Sequence, residues 1–571
     1  MSFSIAVVGA GPTAIYTLQA LMDRAPAPAR ITIFERQRRA GQGTPYSAHW
    51  SDPIMLANIA SIEIPPLPQR LVDWLRSASD VRLQSLGIAR EDIDDRAFYP
   101  RLALGEYLSS QFEALVHRAR LMGIDIQVRT QSTVTDVLVV ENKIKLAVID
   151  ARKTEIEHLF DYVILATGHQ WPPDPEIRPG YFTSPWPASA LARIDHCAVG
   201  IRGTSLSAID AAVALANHHG DFVQTDGDQL EYRAKPATED FSISMFSRKG
   251  ILPEADFYHP LPYEPLVICT AEAMQTLIAQ SSPDALLDAA YELFRQELAL
   301  ADAHYAAAVG LSPSLEEFCT AYFDRRAHAD PFDWARHNLE ESVRNSERSF
   351  TVKWRYAILR MHEVFGLLAP YLSDQDFVRF SDTLKTVFVD NYATVPPDSI
   401  RRLMALHAAG KLCVEKLEDG ARLDTCSSSA GVTLIDSQCR IHFPAFIEAT
   451  GQQVSSAKDF PFPSLRRQGV IQDVAVDEDV EAKRGIAIDG NFHPISAFEP
   501  SHRLFCLSLP FLLGQHPFAQ GITSSAEMAQ VVADAIRSAE SRNSVMSTDE
   551  SALRARAERV DSERNGFRNH A

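Results

Sequence analysis

Close-paired cysteines are missing from this 571-residue chain. Its seven cysteines (Cys197, Cys269, Cys319, Cys413, Cys426, Cys439 and Cys506) are scattered and odd in number. That argues against a disulfide framework and for the reducing cytoplasm. With no Cys-x-x-Cys pair, redox chemistry run by two neighbouring thiols is excluded. Long apolar runs are missing too: nothing approaches the roughly eighteen residues that span a bilayer. The first residues enter a strand at once, without a basic segment and cleavage site, so no secretory signal is expected. Basic residues are in deficit, 55 against 74 acids, for a formal charge of −19. This argues against nucleic acid or an anionic membrane as partner, and leaves room for a local basic pocket. Nor is there a Ser/His/Asp or metal-binding arrangement. His362-Glu363 lacks the second histidine of the metalloprotease spacing and reads as a helix surface pair. What remains is a globular composition, 46% apolar, at a length that calls for two or three domains.

The stretch that organises the rest runs from Ser2 to Ile15. Ile5, Ala6, Val7 and Val8 read as a buried parallel strand. Gly9, Gly11 and Ala14 follow in the G-x-G-x-x-A form of the dinucleotide fingerprint, with Pro12 and Thr13 between. Gly9 permits the tight turn, Gly11 lets backbone approach a pyrophosphate, and Ala14 keeps the new helix close to the strand. The phosphates then meet unpaired N–H groups at a helix N-terminus. The next strand, Arg30 to Phe34, ends in Glu35, at the distance where the fold needs a carboxylate for ribose hydroxyls. An acid there favours FAD or NAD over NADP.

After Glu35 the polar segment Arg36 to Ser47 supplies an arginine for phosphate (Arg36) and glycines (Gly41, Gly43) for close backbone passage, with Thr44 next to them. Arg101 opens an amphipathic helix and is either a solvated first-turn residue or a flavin or phosphate contact. Strands follow over Ile124–Val128 and Ser132–Asp150, then Tyr162–Leu165 closing in Ala166-Thr167-Gly168. A second unit has Gly203, Ser205 and Ala208 at the fingerprint positions, with serine replacing the second glycine. Its following strand ends in Arg248-Lys249 where an acid would select NAD. The charge favours a 2′-phosphate, hence NADP; the other reading is a half that packs and binds nothing. From about Leu266 to Leu412 the pattern turns helical: 271–279, 284–300, 315–327, 339–345, 352–367, 374–389 and 399–409. Trp334, Arg336, Trp354, Arg355, Arg360, Arg401 and Arg402 there are either pocket residues or ordinary helix faces. Strand-like segments return, a second Ala449-Thr450-Gly451 closes one of them, and strands are expected at 485–489 and 504–509. The turn Gly514 to Thr523, including Gln520, Gly521 and Thr523, feeds a last apolar helix from Ser524 to about Ile536. The remainder is polar and reads as a frayed or flexible tail.

With these residues in view, the chain resembles a family of bacterial FAD/NAD(P)-binding proteins related to flavin-dependent N-hydroxylating monooxygenases. The likeness is carried by V-V-G-A-G-P-T-A, G-x-G-T-P-Y-S with M-L-A-N, Y-P-R…G-E-Y-L, A-T-G, S-P-W-P, G-T-S-L-S-A-I-D-A, S-R-K-G-I-L-P and V-P-P-D-S-I-R-R-L, up to about residue 535. It implies an α/β, Rossmann-like flavoprotein with two dinucleotide-binding domains and a helical insert. The expected division is 1–190 for the FAD domain, 191–265 for the NAD(P)-like domain and 266–412 for the insert. Residues 413–537 return to both nucleotide domains and 538–571 form the tail. By the same likeness Gly9, Gly11, Glu35 and Arg101 hold FAD, Asn58 lies nearest the flavin ring, and Ser205 with Arg248 meets NADPH. The A-T-G residues Thr167, Gly168 and Gly451 pass the nucleotides, and backbone near Gln520, Gly521 and Thr523 faces the reduced ring. The implied activity is NADPH-dependent hydroxylation of a small amine or amino acid through a C4a-hydroperoxyflavin, with molecular oxygen as co-substrate. The alternatives are a flavin oxidase or dehydrogenase without a nicotinamide site, and a redox-sensing protein that carries FAD structurally. A homo-oligomer is compatible with all three.

Overall fold

A computed structural model describes residues 3–24, 28–172, 174–225, 229–418, 420–425, 429–437, 440–496, 499–519 and 521–542. The opening strand Ser4–Val8 lies inside a five-stranded parallel sheet. Arg30–Phe34 and then Asp125–Arg129 pair on one side of it, Tyr162–Leu165 and then Leu504–Cys506 on the other. Ile5 to Val8 are buried on both faces because helices Pro12–Arg24, Arg101–Leu121 and 521–542 pack with them in one apolar core. That coverage is why the strand is apolar throughout rather than alternating. An antiparallel meander, Thr133–Val140, Lys143–Ile149 and Glu155–Phe160, precedes Tyr162–Leu165.

The second sheet repeats this plan. Ala198–Arg202, helix Leu206–His219, Ser242–Ser247 and Leu412–Lys416 are followed by the meander Arg422–Asp424, Val432–Ile435, Arg440–Phe443 and by Ala445–Glu448. Each half is therefore strand, helix, strand, insertion, strand, meander, strand. The expected two-nucleotide-domain α/β architecture holds. In the second half the insertion is the helical region, whose own core is aromatic: Phe294, Phe318, Phe365, Phe380 and Phe388.

Several expectations need correction. Residues 176–182, assigned above to the first segment, form Glu176–Arg178 and Tyr181–Phe182 and add to the second sheet. The helix expected over 374–389 is two, Asp374–Asp382 and Leu384–Tyr392, broken at Thr383. Thr383 there has φ −116° and ψ −98°, and both its N–H and its hydroxyl donate to the Arg379 carbonyl. The helix expected over 339–345 runs from Pro331 to Glu347, because the Asp330 side chain caps it by accepting from Phe332 N and Asp333 N, each at 2.9 Å. Residues 485–489 form no ladder strand: Ile486 and Ile488 make single bridges to Asp473 and Pro494. Of the expected tail, 538–542 continue the last helix and the rest lies outside the described residues, as does Gln520. No described helix is long and apolar enough to cross a membrane.

Candidate functional site

The first nucleotide turn is built by close backbone contact. Gly9 has φ +104°, and a Cβ there would fall 2.3 Å from the Ala166 carbonyl oxygen. Its N–H donates to Phe34 O at 2.8 Å, while Ala166 N donates to Val8 O at 2.9 Å. The second turn repeats this geometry: Gly203 has φ +130°, and its Cβ would fall 2.4 Å from Ala449 O. Gly203 N donates to Phe246 O at 2.7 Å, and Ala449 N to Arg202 O at 2.8 Å. So each A-T-G strand ends against the first glycine of its own half.

Glu35 is buried at the first turn. Its Oε2 accepts from Ala10 N at 3.0 Å and its Oε1 from Gln37 N at 2.7 Å. The acid is thus fixed beside the Gly9–Gly11 backbone with lone pairs to spare for ribose. Gly43 passes over Gly11 so closely that a Gly11 Cβ would meet its Cα at 3.2 Å, and a Gly43 Cβ would lie 2.7 Å from Pro12 Cδ. Thr13 Oγ1 and Ser525 Oγ hydrogen-bond at 3.0 Å, joining the first helix to the last, and Thr167 Oγ1 bonds Ser508 Oγ at 2.7 Å. Arg36 is exposed next to this cluster.

Both halves and the insert wall one cavity of about 1820 Å³. Of the residues singled out by sequence, Thr44, Asn58, Arg101, Ser205, Arg248, Gly451, Gly521 and Thr523 line it. Gly9, Gly11, Pro12, Thr13, Ala14, Glu35, Arg36, Gly43, Thr167 and Gly168 gather at the first turn, off this wall. Ser205 starts helix Leu206–His219 without a side-chain cap and is exposed, as is Arg248. Arg101 lines the cavity but is not a free cation. Its Nε donates to Leu56 O at 3.0 Å and its guanidinium to Asp210 Oδ2 at 2.6 Å, so it ties the first half to the second. Burial pushes the Asp210 carboxyl up to about 6 even with that cation beside it.

These residues fit FAD and a nicotinamide nucleotide. The glycine contacts form a cradle that a single Cβ would fill, and Asn58 Oδ1, on the cavity wall, is buried without a hydrogen-bond partner. His169 and Gln452, which sequence reading missed, each follow an A-T-G and meet on the same wall. Their Nδ1 and Oε1 are likewise buried without a partner at bonding geometry. Burial holds the His169 imidazole below its ordinary value, against the pull of the adjacent Gln452, with Arg101 adding to the depression. The repeated A-T-G was the available signal for both.

The aromatic and basic residues singled out in the insert do not line the cavity. Arg355 donates to Glu254 Oε2 at 3.0 Å, Arg360 to the carbonyls of Glu264 and Pro265, and Arg402 to Ile54 O at 2.7 Å. Trp334 Nε1 donates to Glu254 at 3.0 Å, and Trp354 stacks on Tyr305. Arg336 and Arg401 pair with Asp333 and Asp398 one helical turn away.

Residues 6–170 match the FAD-NAD(P)-binding family and residues 270–392 the YdhS-like middle domain. The chain is 40% identical over 538 residues to the uncharacterized protein YdhS of Escherichia coli (strain K12), covering 93% of this chain and 97% of that one. Among solved structures it is similar to the ornithine N-hydroxylase KtzI of Kutzneria sp. 744, at 13% identity and TM-score 0.47 over 95% of this chain and 100% of that one. It is also similar to DfoA, a cadaverine monooxygenase of Erwinia amylovora, at 12% identity and TM-score 0.48 over 94% of each. With an FAD-NAD(P)-binding domain at its N-terminus and identity that extends along nearly the whole of both chains, the protein belongs to the YdhS family.

Proposed function

We propose that this chain is an FAD-dependent monooxygenase that draws electrons from NADPH and hydroxylates a nitrogen of a small amine or amino acid. The observation that carries the reading is the single cavity that joins Asn58, Gly521 and Thr523 of the FAD half to Ser205, Arg248 and Gly451 of the second half. A hydride donor and a flavin need such a shared space. FAD, when bound, supplies the electron and oxygen chemistry, and the chain supplies position and electrostatics. Gly9, Gly11 and Glu35 hold its adenosine diphosphate, with Pro12, Thr13, Ala14, Arg36, Gly43, Thr167 and Gly168 around it. Thr44 and Asn58 would lie on the ring's side of the cavity, and N–H groups in the first turn of helix 521–542 would favour negative charge on the ring. Arg248, exposed where an acid would exclude a 2′-phosphate, selects NADPH over NADH. Trp50, Trp171, Trp186 and Phe518 give the wall apolar ring surface, which suits oxygen transfer.

Ser205 at the position of the second glycine favours the competing reading, a flavin oxidase without a nicotinamide site. Anaerobic mixing of the FAD-loaded protein with NADPH or NADH separates the two. The expected result is rapid bleaching of the flavin by NADPH, then oxygen uptake and hydroxylamine formation when air and an amine are admitted. Arg248→Ala should raise the Kd for NADPH about tenfold and leave that for NADH unchanged. No bleaching by either nucleotide would sink the monooxygenase reading.

A further inference from the structure

Two segments carry the chain from one half to the other, and both begin with the same three residues. Ala166-Thr167-Gly168 runs on into His169, and Ala449-Thr450-Gly451 into Gln452. The two crossings are pinned to one short stretch, residues 508–510. Thr167 Oγ1 bonds Ser508 Oγ at 2.7 Å, and Ser455 N donates to Pro510 O at 2.8 Å. His169 and Gln452 therefore come together across the seam between the halves, and both line the cavity. The crossings also border open space. A Cβ at Gly9 or Gly203 collides with backbone, whereas one at Gly168 or Gly451 meets nothing within 4 Å.

Each of the two residues presents a polar atom with nothing to bond. Gln452 Nε2 donates to Gln453 O at 3.2 Å, which leaves its Oε1, buried and without a partner, as an acceptor. His169 Nδ1 is buried without a partner as well. The His169 ring lies against Trp171, with centroids 6.1 Å apart and planes 22° from parallel. Burial, against the pull of Gln452, holds this imidazole below its ordinary value. It is therefore neutral, with one donor and one acceptor nitrogen. Arg101 on the same wall does not compete for a ligand here, because Leu56 O and Asp210 hold it. Polar atoms buried in this way cost stability unless a ligand or a water reaches them.

An amide acceptor beside a neutral imidazole matches a primary carboxamide, which carries N–H donors and a C=O acceptor on one carbon. FAD has no such group and NADPH has one, on its nicotinamide ring. We infer that Gln452 and His169 seat the carboxamide of NADPH, Gln452 Oε1 accepting from its NH2 group and His169 Nδ1–H donating to its C=O. Such a seat fixes which face of the nicotinamide ring turns toward the flavin. Being shared between the halves, it forms only when both crossings are in place. It also offsets the looser hold on the pyrophosphate that Ser205 gives at the position of the second glycine. The inference rests on the nicotinamide site of the reading above and is independent of its oxygen chemistry.

The test is calorimetric titration of the FAD-loaded protein with three ligands. They are NADP+, its 3-acetylpyridine analogue, in which a methyl ketone replaces the carboxamide, and adenosine 2′,5′-bisphosphate, which lacks the nicotinamide altogether. NADP+ should bind about tenfold more tightly than the analogue. Gln452→Met should close that gap, and His169→Phe should weaken NADP+ severalfold. Neither should change the Kd for the bisphosphate or the flavin content.

Equal affinity for NADP+ and the analogue in the unaltered protein would overturn the inference, whether or not the variants fold. So would a Gln452→Met protein that keeps the gap while its flavin content falls, since the amide would then face the flavin. Bisphosphate binding with no gap removes the carboxamide seat alone and leaves the nicotinamide nucleotide reading standing. Absence of binding by all three ligands would bring down both.

Discussion

At the scale of the residue, the two nucleotide turns depend on glycines that cannot be replaced. Gly9 and Gly203 share a left-handed backbone and an approach of 2.3 and 2.4 Å between a would-be Cβ and the alanine carbonyl of the returning A-T-G strand. A side chain there meets both a strained φ, worth roughly 1–3 kcal/mol, and backbone that has no room to yield. Gly9→Ala should therefore purify with a sharply reduced flavin-to-protein absorbance ratio. Gly203→Ala should keep its flavin and lose reduction by NADPH; a Gly203→Ala protein that NADPH still bleaches at the normal rate would contradict the paired-turn account. The glycine pattern and Glu35 were legible because they act over a handful of neighbouring residues. The role of Arg101 was not, since its partner Asp210 lies over a hundred positions away.

At the scale of the element, the turn that precedes helix 521–542 does two jobs. Sequence assigned it to the flavin. In the fold its Phe518 also plugs into the aromatic core of the insert, with ring centroids 5.6 Å from Phe388, 5.7 Å from Tyr392 and 5.4 Å from His362. The same contacts bury His362 and push its imidazole down to about 4, so it is neutral at physiological pH. Phe518→Ala should destabilise the protein by about 3 kcal/mol in denaturant titration, and Phe518→Leu by clearly less. Flavin fluorescence should rise in the alanine variant as the turn loosens. Stability equal to the parent would show that the insert and the flavin turn are not coupled through this ring. Helix existence in the insert was readable from periodicity, whereas the break at Thr383 and the docking of Phe518 were not. The first is one residue's departure from helical backbone angles, and the second rests on contacts far apart in the chain.

At the scale of the whole molecule, the two halves are joined by the buried pair Arg101–Asp210. Burial raises the folded-state pKa of Asp210 to about 6, above its unfolded value, so this carboxyl costs stability as pH rises through that window. Arg101 limits the cost once the carboxyl is charged. Arg101→Ala should therefore destabilise by about 3 kcal/mol at pH 8, where the carboxylate is left buried and unpaired. At pH 5, where Asp210 is protonated, the loss should be much smaller. Unfolding midpoints of parent and variant at the two pH values check this, and a pH-independent difference would refute it.

The sequence by itself determined the backbone grammar of this protein. Two strand–glycine–helix units, two A-T-G closures and a helical stretch between them follow from spacing and side-chain size within a few residues. Only the tertiary structure decided where charge is left over. It holds the insert's arginines away from the cavity, hands Arg101 to Asp210, and leaves Glu63, Glu363 and Asp256 in the field of the Tyr263 hydroxyl. The reason is physical: turn geometry is a local steric matter, whereas the worth of a charge depends on burial and on partners that only folding brings within reach.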